Sequence, residues 1–298
     1  MKLRLGTRKS ELALFQANYV SNKLSQLGVD VEIIPIVSEG DIKTGPLHEI
    51  GGKGLFVNKL EEALLKDEID CAVHSLKDVP AKISNKFIIN AVLPRESYAD
   101  ILVMKNNVDL LDMPDGAKIG TSSPRRAAQI LNMNPNLKVE PIRGNIATRL
   151  SKLSTQDYDA IIVAEAALNR LEIVCEYSTK FKISEMLPSA SQGYIGVQCL
   201  NVKNDLTKVI ESVNSKTDMI LANAERSFVA QLDGSCTSPI CILCTLVDEK
   251  VQIQAKVISL DGKRQIAKSS ISSVAELDKN IVTLADQFIS EGARSIIL

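Results

Sequence analysis

Arginines recur beside predicted helix starts, a pattern suited to binding anions. In GTSSPRR, Ser123 is a good helix N-cap and Pro124 suits the first helical position, so Arg125 and Arg126 fall in the first turn. Cations there oppose the helix dipole and cost roughly a few tenths of a kcal/mol each unless an anion lies nearby. The helix start, its hydroxyls and two guanidiniums therefore predict a carboxylate or phosphate site, with a solvated surface pair as the alternative.

The same arrangement occurs at two other predicted helix starts. Arg8 precedes a helix capped by Ser10, and Arg143 precedes one capped by Asn145, with Arg149 one turn further on. In doubly wound sheets the loops between strands and helices gather at the carboxyl edge, so these arginines should converge on one crevice. Several arginines around one crevice suit a ligand with several carboxylates better than a single phosphate.

Two other segments contain candidate polar groups. EIGGKGLF resembles an anion-binding loop but is not a Walker A motif, because Gly54 replaces the magnesium-binding hydroxyl residue. Lys53 is then either an anion contact or an exposed lysine. In VHSLKDVP, Asp78 comes just past an apolar strand and is either a turn former or a catalytic carboxylate. His74 continues the strand, which favours a satisfied, half-buried histidine over a base.

Cys236 lies in DGSCTSPI, just after an amphipathic helix pattern ending at Leu232. Gly234 is predicted to be the C′ residue of that helix, which places Cys236 in a reachable loop. A disulfide is disfavoured in the cytosol, and the negative end of the helix dipole disfavours a strongly activated thiolate. Cys241 and Cys244 lie in the apolar run ICILCTL, so core packing is favoured over zinc or redox chemistry. An anchoring role for Cys236 stays open.

The elements that must position these groups alternate between strand and helix patterns. The first 100 or so residues read as βαβα, which favours a mostly parallel sheet covered by helices, and the pattern restarts afterwards. In the first helix, apolar residues recur at the spacing of a core face, namely Leu12, Phe15 and Tyr19, then Val20, Leu24 and Leu27. Short alternating strands around the Asp-Gly turn at 261–262 predict an antiparallel sheet in a small α+β domain.

Composition limits the classes of protein. The chain has 298 residues, with 35 Lys plus Arg against 36 Asp plus Glu, so no global positive field favours nucleic acid or an anionic membrane. No apolar run is long enough to cross a bilayer, and the N-terminus lacks the apolar core of a signal peptide. We therefore expect a cytoplasmic globular protein with two or three domains.

Six motifs, in this order and spacing, resemble the porphobilinogen deaminase family, also called hydroxymethylbilane synthases. The motifs are RLGTRKSELAL, GGKGLF, VHSLKDVP, GTSSPRR, RGNIATRL and AERSFVAQLDGSC, and the part from about residue 245 adds little. The resemblance implies a transferase that condenses four porphobilinogen molecules head to tail, with release of ammonia, to form hydroxymethylbilane in haem biosynthesis. It also implies an α/β fold of two doubly wound lobes, similar to bilobed periplasmic binding proteins, with a small C-terminal α+β domain. The expected boundaries are 1–93 with 194–213, then 98–190, then 217–298.

The resemblance also implies the site. A dipyrromethane cofactor would be joined by a thioether to Cys236, and Asp78 would stabilise the cation formed when ammonia leaves and assist proton movement. No metal is implied. The implied cofactor-binding residues are Lys77, Ser75, Thr121, Ser123, Arg125, Arg126, Arg143 and Gly144. The implied substrate-binding residues are Arg8, Ser10, Lys53, Phe56, Arg149, Arg170 and Gln192.

The chain departs from the family pattern at several positions, which are Glu39, Glu49, Ala167, Ser191, Tyr194 and Ser235. None removes a charged group assigned to chemistry. Glu39 and Glu49 make the rim near the Lys53 loop less positive, and Ser191, Tyr194 and Ser235 lie in the loops around Gln192 and Cys236. The expected partner is porphobilinogen, with no nucleic acid, no membrane and a monomeric state. Two alternatives remain: a bilobed anion-binding module without catalysis, and a zinc or redox role for the C-terminal cysteines.

Overall fold

The computed structural model describes residues 2–37, 57–235 and 237–297. Contacts divide the chain into two compact units, Met1–Glu96 with Gly193–Ala222 and Ser97–Gln192 with Asn223–Leu298. The three-domain boundaries therefore stay a prediction. The predictions for Lys53, Phe56, Cys236 and the loop at 39–54 lie outside the described residues.

Strands and helices alternate along most of the chain. The strands are β1 (Lys2–Arg8), β2 (Asp30–Ile36), β3 (Cys71–Ser75), β4 (Phe87–Val92), β5 (Asp100–Met104), β6 (Lys118–Gly120), β7 (Lys138–Glu140), β8 (Ala160–Ala164), β9 (Ser178–Lys180), β10 (Ile195–Leu200), β11 (Ile240–Val247), β12 (Lys250–Ile258) and β13 (Gln265–Ser273). The helices are α1 (Glu11–Ser25), α2 (Asn58–Leu65), α3 (Pro124–Met133), α4 (Ile146–Thr155), α5 (Glu165–Arg170), α6 (Asp205–Glu211), α7 (Lys216–Gln231), α8 (Leu277–Ser290) and α9 (Ala293–Ile297). Short 3₁₀ helices occupy Leu76–Asp78 and Leu110–Asp112. None of the helices within the described ranges is long and apolar enough to span a membrane.

Each unit contains a five-stranded mixed sheet. The strand order is β2-β1-β3-β10-β4 in the first unit and β7-β6-β8-β5-β9 in the second. In both, a βαβαβ segment supplies three parallel strands, and two further strands pair antiparallel. The α/β class is confirmed, and so is the expectation of mostly parallel sheets, because four of the five strands in each sheet run in one direction and only β10 or β5 runs in the other.

Helix α1 begins where the sequence predicts but buries a partly different face. The Ser10 hydroxyl accepts from the Ala13 backbone N–H at 3.4 Å, which confirms the cap. Val20 and Leu24 are buried as predicted, whereas Phe15, Tyr19 and Leu27 are exposed, so the predicted core face is wrong at these three positions. Two overlapping stripes fit helical spacing here, and the small residues of one stripe allow the close approach to the sheet. The buried stripe is Ala13, Gln16, Ala17, Val20 and Leu24.

The predicted antiparallel sheet near the C-terminus is confirmed, with strand order β11-β12-β13. Its Asp-Gly turn lies against α3, where the Asn132 amide donates to the Gly262 carbonyl at 2.8 Å. Gly262 has a φ of +73°, and a Cβ there would be 2.6 Å from the Asn132 backbone nitrogen. The hairpin therefore supports the helix that begins with the arginine pair. Cys241 and Cys244 are buried in β11, as predicted for core residues.

The end of α7 differs from prediction by one residue. Asp233, with a φ of +55°, is the left-handed C′ residue, and the Gly234 N–H donates to the Val229 carbonyl at 3.0 Å. Gly234 is required for another reason, because a Cβ there would be 2.3 Å from Ile240 Cδ1. The glycine allows close packing of β11 against the helix end, and the aspartate tolerates the left-handed backbone.

Candidate active site

The first cluster of predicted site residues lies at the carboxyl ends of β1 and β3, which are neighbouring parallel strands. Arg8 ends β1, Ser10 caps the following helix, Ser75 ends β3, and Asp78 follows within one turn. These four residues line one cleft. The topology thus brings together a cation, two hydroxyls and a carboxylate that are up to 70 positions apart in the sequence.

The 3₁₀ turn that carries Asp78 is attached to the core through Leu76. Leu76 is fully buried and its N–H donates to the Tyr194 carbonyl at 3.0 Å, while Lys77 and Asp78 stay partly exposed. A Cβ on Gly196 of β10 would be 2.8 Å from Leu76 Cδ1, so a larger residue beneath the turn would force Leu76 to shift. The position of Asp78 therefore depends on the buried side chain of Leu76 and on the absence of a side chain at Gly196.

Tyr194, where the resemblance leads us to expect a small residue, lies in this core. Its ring is buried beside Leu76 and Val92, and the Arg95 guanidinium carbon lies 4.3 Å from the ring centroid. The cation stacks on the face of the ring, a favourable arrangement for Arg with an aromatic side chain. Since the Tyr194 backbone still supports the Leu76 turn, the larger side chain leaves that contact intact.

Gln16 belongs to the cleft but was missed by sequence reasoning. It is 2% exposed, and its amide nitrogen donates to the Ser75 hydroxyl at 2.8 Å. The amide therefore orients a predicted cofactor-binding hydroxyl. A polar residue on the buried stripe of α1 was the signal that could have revealed it, once that stripe had been assigned correctly.

His74 is buried more deeply than predicted, at 5% exposure, and it is a satisfied histidine. Its Nε2 lies 3.0 Å from Gln198 Oε1, and the Gln198 amide nitrogen donates to Glu61 at 2.8 Å. Because an ionised Glu61 can only accept, Gln198 turns its oxygen toward His74, and His74 Nε2 is the donor.

In the second unit, Arg125 and Arg126 are buried and share one carboxylate. Arg125 Nη2 donates to Asp100 at 2.7 Å, and Arg126 donates to it through Nε at 3.0 Å and Nη2 at 2.7 Å. The Ser123 cap on Arg126 N is confirmed at 3.5 Å, and the Thr121 hydroxyl accepts from Ser123 N at 3.2 Å. The solvated surface pair is therefore excluded. The carboxylate of Asp100 lies beside both arginines, and the binding of an external anion here stays a prediction.

Gln192 joins the same network where the chain leaves the second unit. It is fully buried, and its amide nitrogen donates to Asp100 Oδ1 at 3.0 Å and to the Tyr98 carbonyl at 2.8 Å. The preceding Ser191 has a φ of +62°, a conformation that glycine adopts at lower cost. The Ser191 N–H donates to the buried Glu225 carboxylate at 2.6 Å, which holds the serine in that conformation.

The loop before α4 contains a second group of predicted residues. Asn145 caps α4 as predicted, accepting from Thr148 N at 2.8 Å, and Gly144 has a φ of +114°. Arg149 Nε donates to the Gly144 carbonyl at 2.8 Å. Nε and Nη2 of Arg143 are buried and have no hydrogen-bond partner within the described part of the chain. Buried N–H groups of this kind are rare, so these atoms are suited to an external acceptor. Arg170 is buried at the end of α5.

The buried cysteines Cys71, Cys199, Cys241 and Cys244 are not suited to nucleophilic or redox chemistry. Burial raises the pKa of both Cys199 and Cys241 to about 11, so their thiols stay protonated at neutral pH. No group of three metal-ligating side chains occurs in the described residues.

The donor set fits a ligand with several carboxylates. Arg143 offers two buried N–H positions without a described partner, and Arg125 Nε is a third. Guanidinium N–H groups prefer carboxylate or phosphate oxygens, and they bind them in fixed directions.

Comparison with protein families agrees with this chemistry. Residues 3–208 match the model described as "Porphobilinogen deaminase, dipyromethane cofactor binding domain". The chain belongs to the porphobilinogen deaminase family. Residues 219–285 match the porphobilinogen deaminase C-terminal domain, including the part where motifs were scarce.

Porphobilinogen deaminases from several bacteria are similar over their whole length. The enzyme named so from Campylobacter lari is 40% identical, covering 100% of this chain and 98% of that protein. The one from Campylobacter hominis is 39% identical, covering 99% and 97%, and that from Geobacillus sp. is 40% identical, covering 99% and 96%. Among solved structures, a periplasmic substrate-binding protein from Coxiella burnetii has a TM-score of 0.46 at 16% identity, covering 75% of this chain and 96% of that one.

Proposed function

We propose that this chain condenses four porphobilinogen molecules head to tail, releasing ammonia, to form hydroxymethylbilane on a covalent dipyrromethane primer. The observation that carries the proposal is the cleft where Arg8, Ser75 and Asp78 meet at adjoining strand ends in a member of this family. A binding module would need the cation and hydroxyls but would have no use for a carboxylate beside an anionic ligand, since like charges repel.

Cys236 is the proposed anchor of the cofactor. When bound, the dipyrromethane supplies the pyrrole carbon to which the first substrate is joined. The chain's own groups hold its carboxylates: Arg143 through its buried Nε and Nη2, and Arg125 and Arg126 from the start of α3. Ser75 and Lys77 lie on the turn at β3, in the unit that carries Asp78. The full proposed set is Cys236, Lys77, Ser75, Thr121, Ser123, Arg125, Arg126, Arg143 and Gly144.

Asp78 is the proposed catalytic carboxylate. Positive charge develops on a porphobilinogen ring as ammonia leaves, and a fixed carboxylate stabilises that charge without having to reorganise. The attachment of the turn through Leu76 fixes it in this way. The same oxygen atoms can accept a proton and return it during each addition.

Substrate side chains are proposed to bind to a further set of cations and polar groups. Each porphobilinogen carries two carboxylates, which suits bidentate arginine contacts. The set is Arg8, Ser10, Lys53, Phe56, Arg149, Arg170 and Gln192. We also place the protein in the cytoplasm as a monomer of three domains, since these are the expectations from its sequence.

Intact-protein mass spectrometry under denaturing conditions tests the function. Protein from porphobilinogen-producing cells should carry an added mass of two pyrrole units and give colour with Ehrlich's reagent, and Cys236→Ser should lose both. Added porphobilinogen should produce further increments of one pyrrole unit, with release of ammonia. Unmodified chains that release no ammonia would refute the transferase and favour the anion-binding module.

A further inference from the structure

Asp100 is the centre of a buried polar cluster in the second unit, and the proposed reaction does not use it directly. Its side chain is fully buried at the start of β5. Its two oxygens accept from Arg125 Nη2, from Arg126 Nε and Nη2, and from Gln192 Nε2, all at 2.7 to 3.0 Å. Four donors on one carboxylate leave it little freedom to rotate.

Backbone carbonyls hold the outer ends of both guanidiniums. Arg125 Nη1 donates to the Leu187 carbonyl at 2.8 Å, and Arg126 Nη1 donates to the Ile162 carbonyl at 3.0 Å. Each arginine is therefore fixed between Asp100 and a carbonyl. Long arginine side chains lose much conformational entropy when they are ordered, and here that entropy is already lost in the folded chain before any ligand binds.

The charge balance still favours an incoming anion. Two guanidiniums and one carboxylate sum to one net positive charge in a buried cluster. Arg125 Nε is buried and has no hydrogen-bond partner in the described residues. A carboxylate that binds there would accept a hydrogen bond from Arg125 Nε, which is already held in place, and would be attracted by the net positive charge.

We propose that Asp100 is a positioning residue for cofactor attachment, which holds Arg125 and Arg126 as a preorganised pair in the cofactor-free chain. This inference rests on the proposed function, because it takes the pair to be cofactor-binding. Asp100 acts through the arginines and does not touch the reacting atoms.

The first test measures the rate of cofactor attachment. Cofactor-free protein, made in cells that cannot form porphobilinogen, is given porphobilinogen, and the mass increment on the chain is followed with time. Asp100→Asn keeps the shape but removes the charge, and attachment should slow by about tenfold or more. Asp112→Asn, an exposed carboxylate in the same unit, is the matched control and should load at the wild-type rate.

A combined variant separates positioning from general damage to the fold. If Asp100 acts through the two arginines, adding Asp100→Asn to a chain with Arg125→Lys and Arg126→Lys should not slow loading further. A further loss of rate in that chain, or loading at the wild-type rate by Asp100→Asn alone, would overturn the proposal. A wild-type chain that gains no mass would instead refute the proposed function itself.

A measurement on the unmodified sequence covers the case in which Asp100→Asn does not fold. In ¹⁵N-arginine-labelled, cofactor-free protein, the Nε–H of Arg126 should exchange with water slowly, because it is bonded to buried Asp100. Its signal is assigned by its loss in Arg126→Lys. Exchange as fast as that of an exposed arginine would show that the pair is not preorganised, and would overturn the proposal.

Discussion

Gly196→Ala should reduce turnover more than it reduces stability, because it displaces the turn that carries Asp78. The added Cβ would be 2.8 Å from Leu76 Cδ1, about 0.6 Å closer than ordinary van der Waals contact. Leu76 is fully buried against Val79 and Val92, so it cannot rotate into free space. The turn must therefore shift by several tenths of an ångström.

The size of both effects follows from this displacement. Overpacking one methyl group in a dense core costs about 1–3 kcal/mol in the free energy of unfolding. A shift of up to about 1 Å at a catalytic group can lower kcat by as much as about 100-fold, so we expect a loss of roughly 10- to 100-fold. Denaturant unfolding measures the first effect, and the rate of ammonia release in cofactor-loaded protein measures the second.

The matched control is Ala255→Val, which overpacks a buried position of β12, a strand with no predicted site residue. It should lose similar stability and keep near-normal kcat. If Gly196→Ala loses stability but keeps wild-type kcat, the Leu76–Asp78 turn does not depend on a glycine at position 196. Asp78 is then positioned in some other way than the one described.

Four other outcomes follow from the same structure. Asp78→Asn should keep the fold but lower kcat by at least about 100-fold, since the amide cannot stabilise a cation; near-normal ammonia release would contradict the assigned role. Arg143→Leu should leave the melting temperature of cofactor-free protein unchanged or raise it, because unpartnered buried donors cost about 1–3 kcal/mol. The same variant should attach less cofactor. A lower melting temperature would show that the arginine has partners within the chain. Iodoacetamide at about pH 8 should label the partly exposed Cys175, and it should label Cys236 only in cofactor-free chains. The other four thiols are buried and should not react. If any of these four is labelled before the protein unfolds, the assigned burial is wrong. Burial raises the pKa of Asp70 but hydrogen bonds from Arg4 outweigh it, so the pKa is below its usual value of about 3.9. The ionised Asp70 therefore stabilises the fold above about pH 3.9, and this stabilisation is lost as the pH falls through the lower pKa of the folded state. When the free energy of unfolding is measured at pH 5, 4 and 3, it should fall less steeply for Asp70→Asn than for the wild type. Equal slopes would contradict the Arg4 contacts.

Several features could be predicted because their causes are local. The caps Ser10, Ser123 and Asn145 each bond to a backbone N–H three residues on, so the signal and its partner lie within one turn. The strands and the Asp-Gly turn follow from short patterns in the same way. Family membership could be inferred as well, because long motifs in a fixed order rarely coincide by chance.

The buried face of α1 and the end of α7 could not be settled locally. Two stripes of α1 satisfy helical spacing, and only packing against the sheet selects the one with Ala13 and Ala17. At the end of α7, Ile240 fills the space beside Gly234, so the left-handed residue is Asp233 instead. In both cases the deciding neighbour is an element that the helix pattern does not contain.

The sequence by itself determined that two arginines begin α3 and that an anion must lie close to them, because the helix dipole and their charge both follow from adjacent residues. Only the tertiary structure decided that the anion within the chain is Asp100, which precedes Arg125 by 25 positions and reaches it through the pairing of β5 with β8. Charge along a chain predicts that a partner is needed. Which partner is present depends on strand order, since sheet topology brings together residues that sequence separation keeps apart.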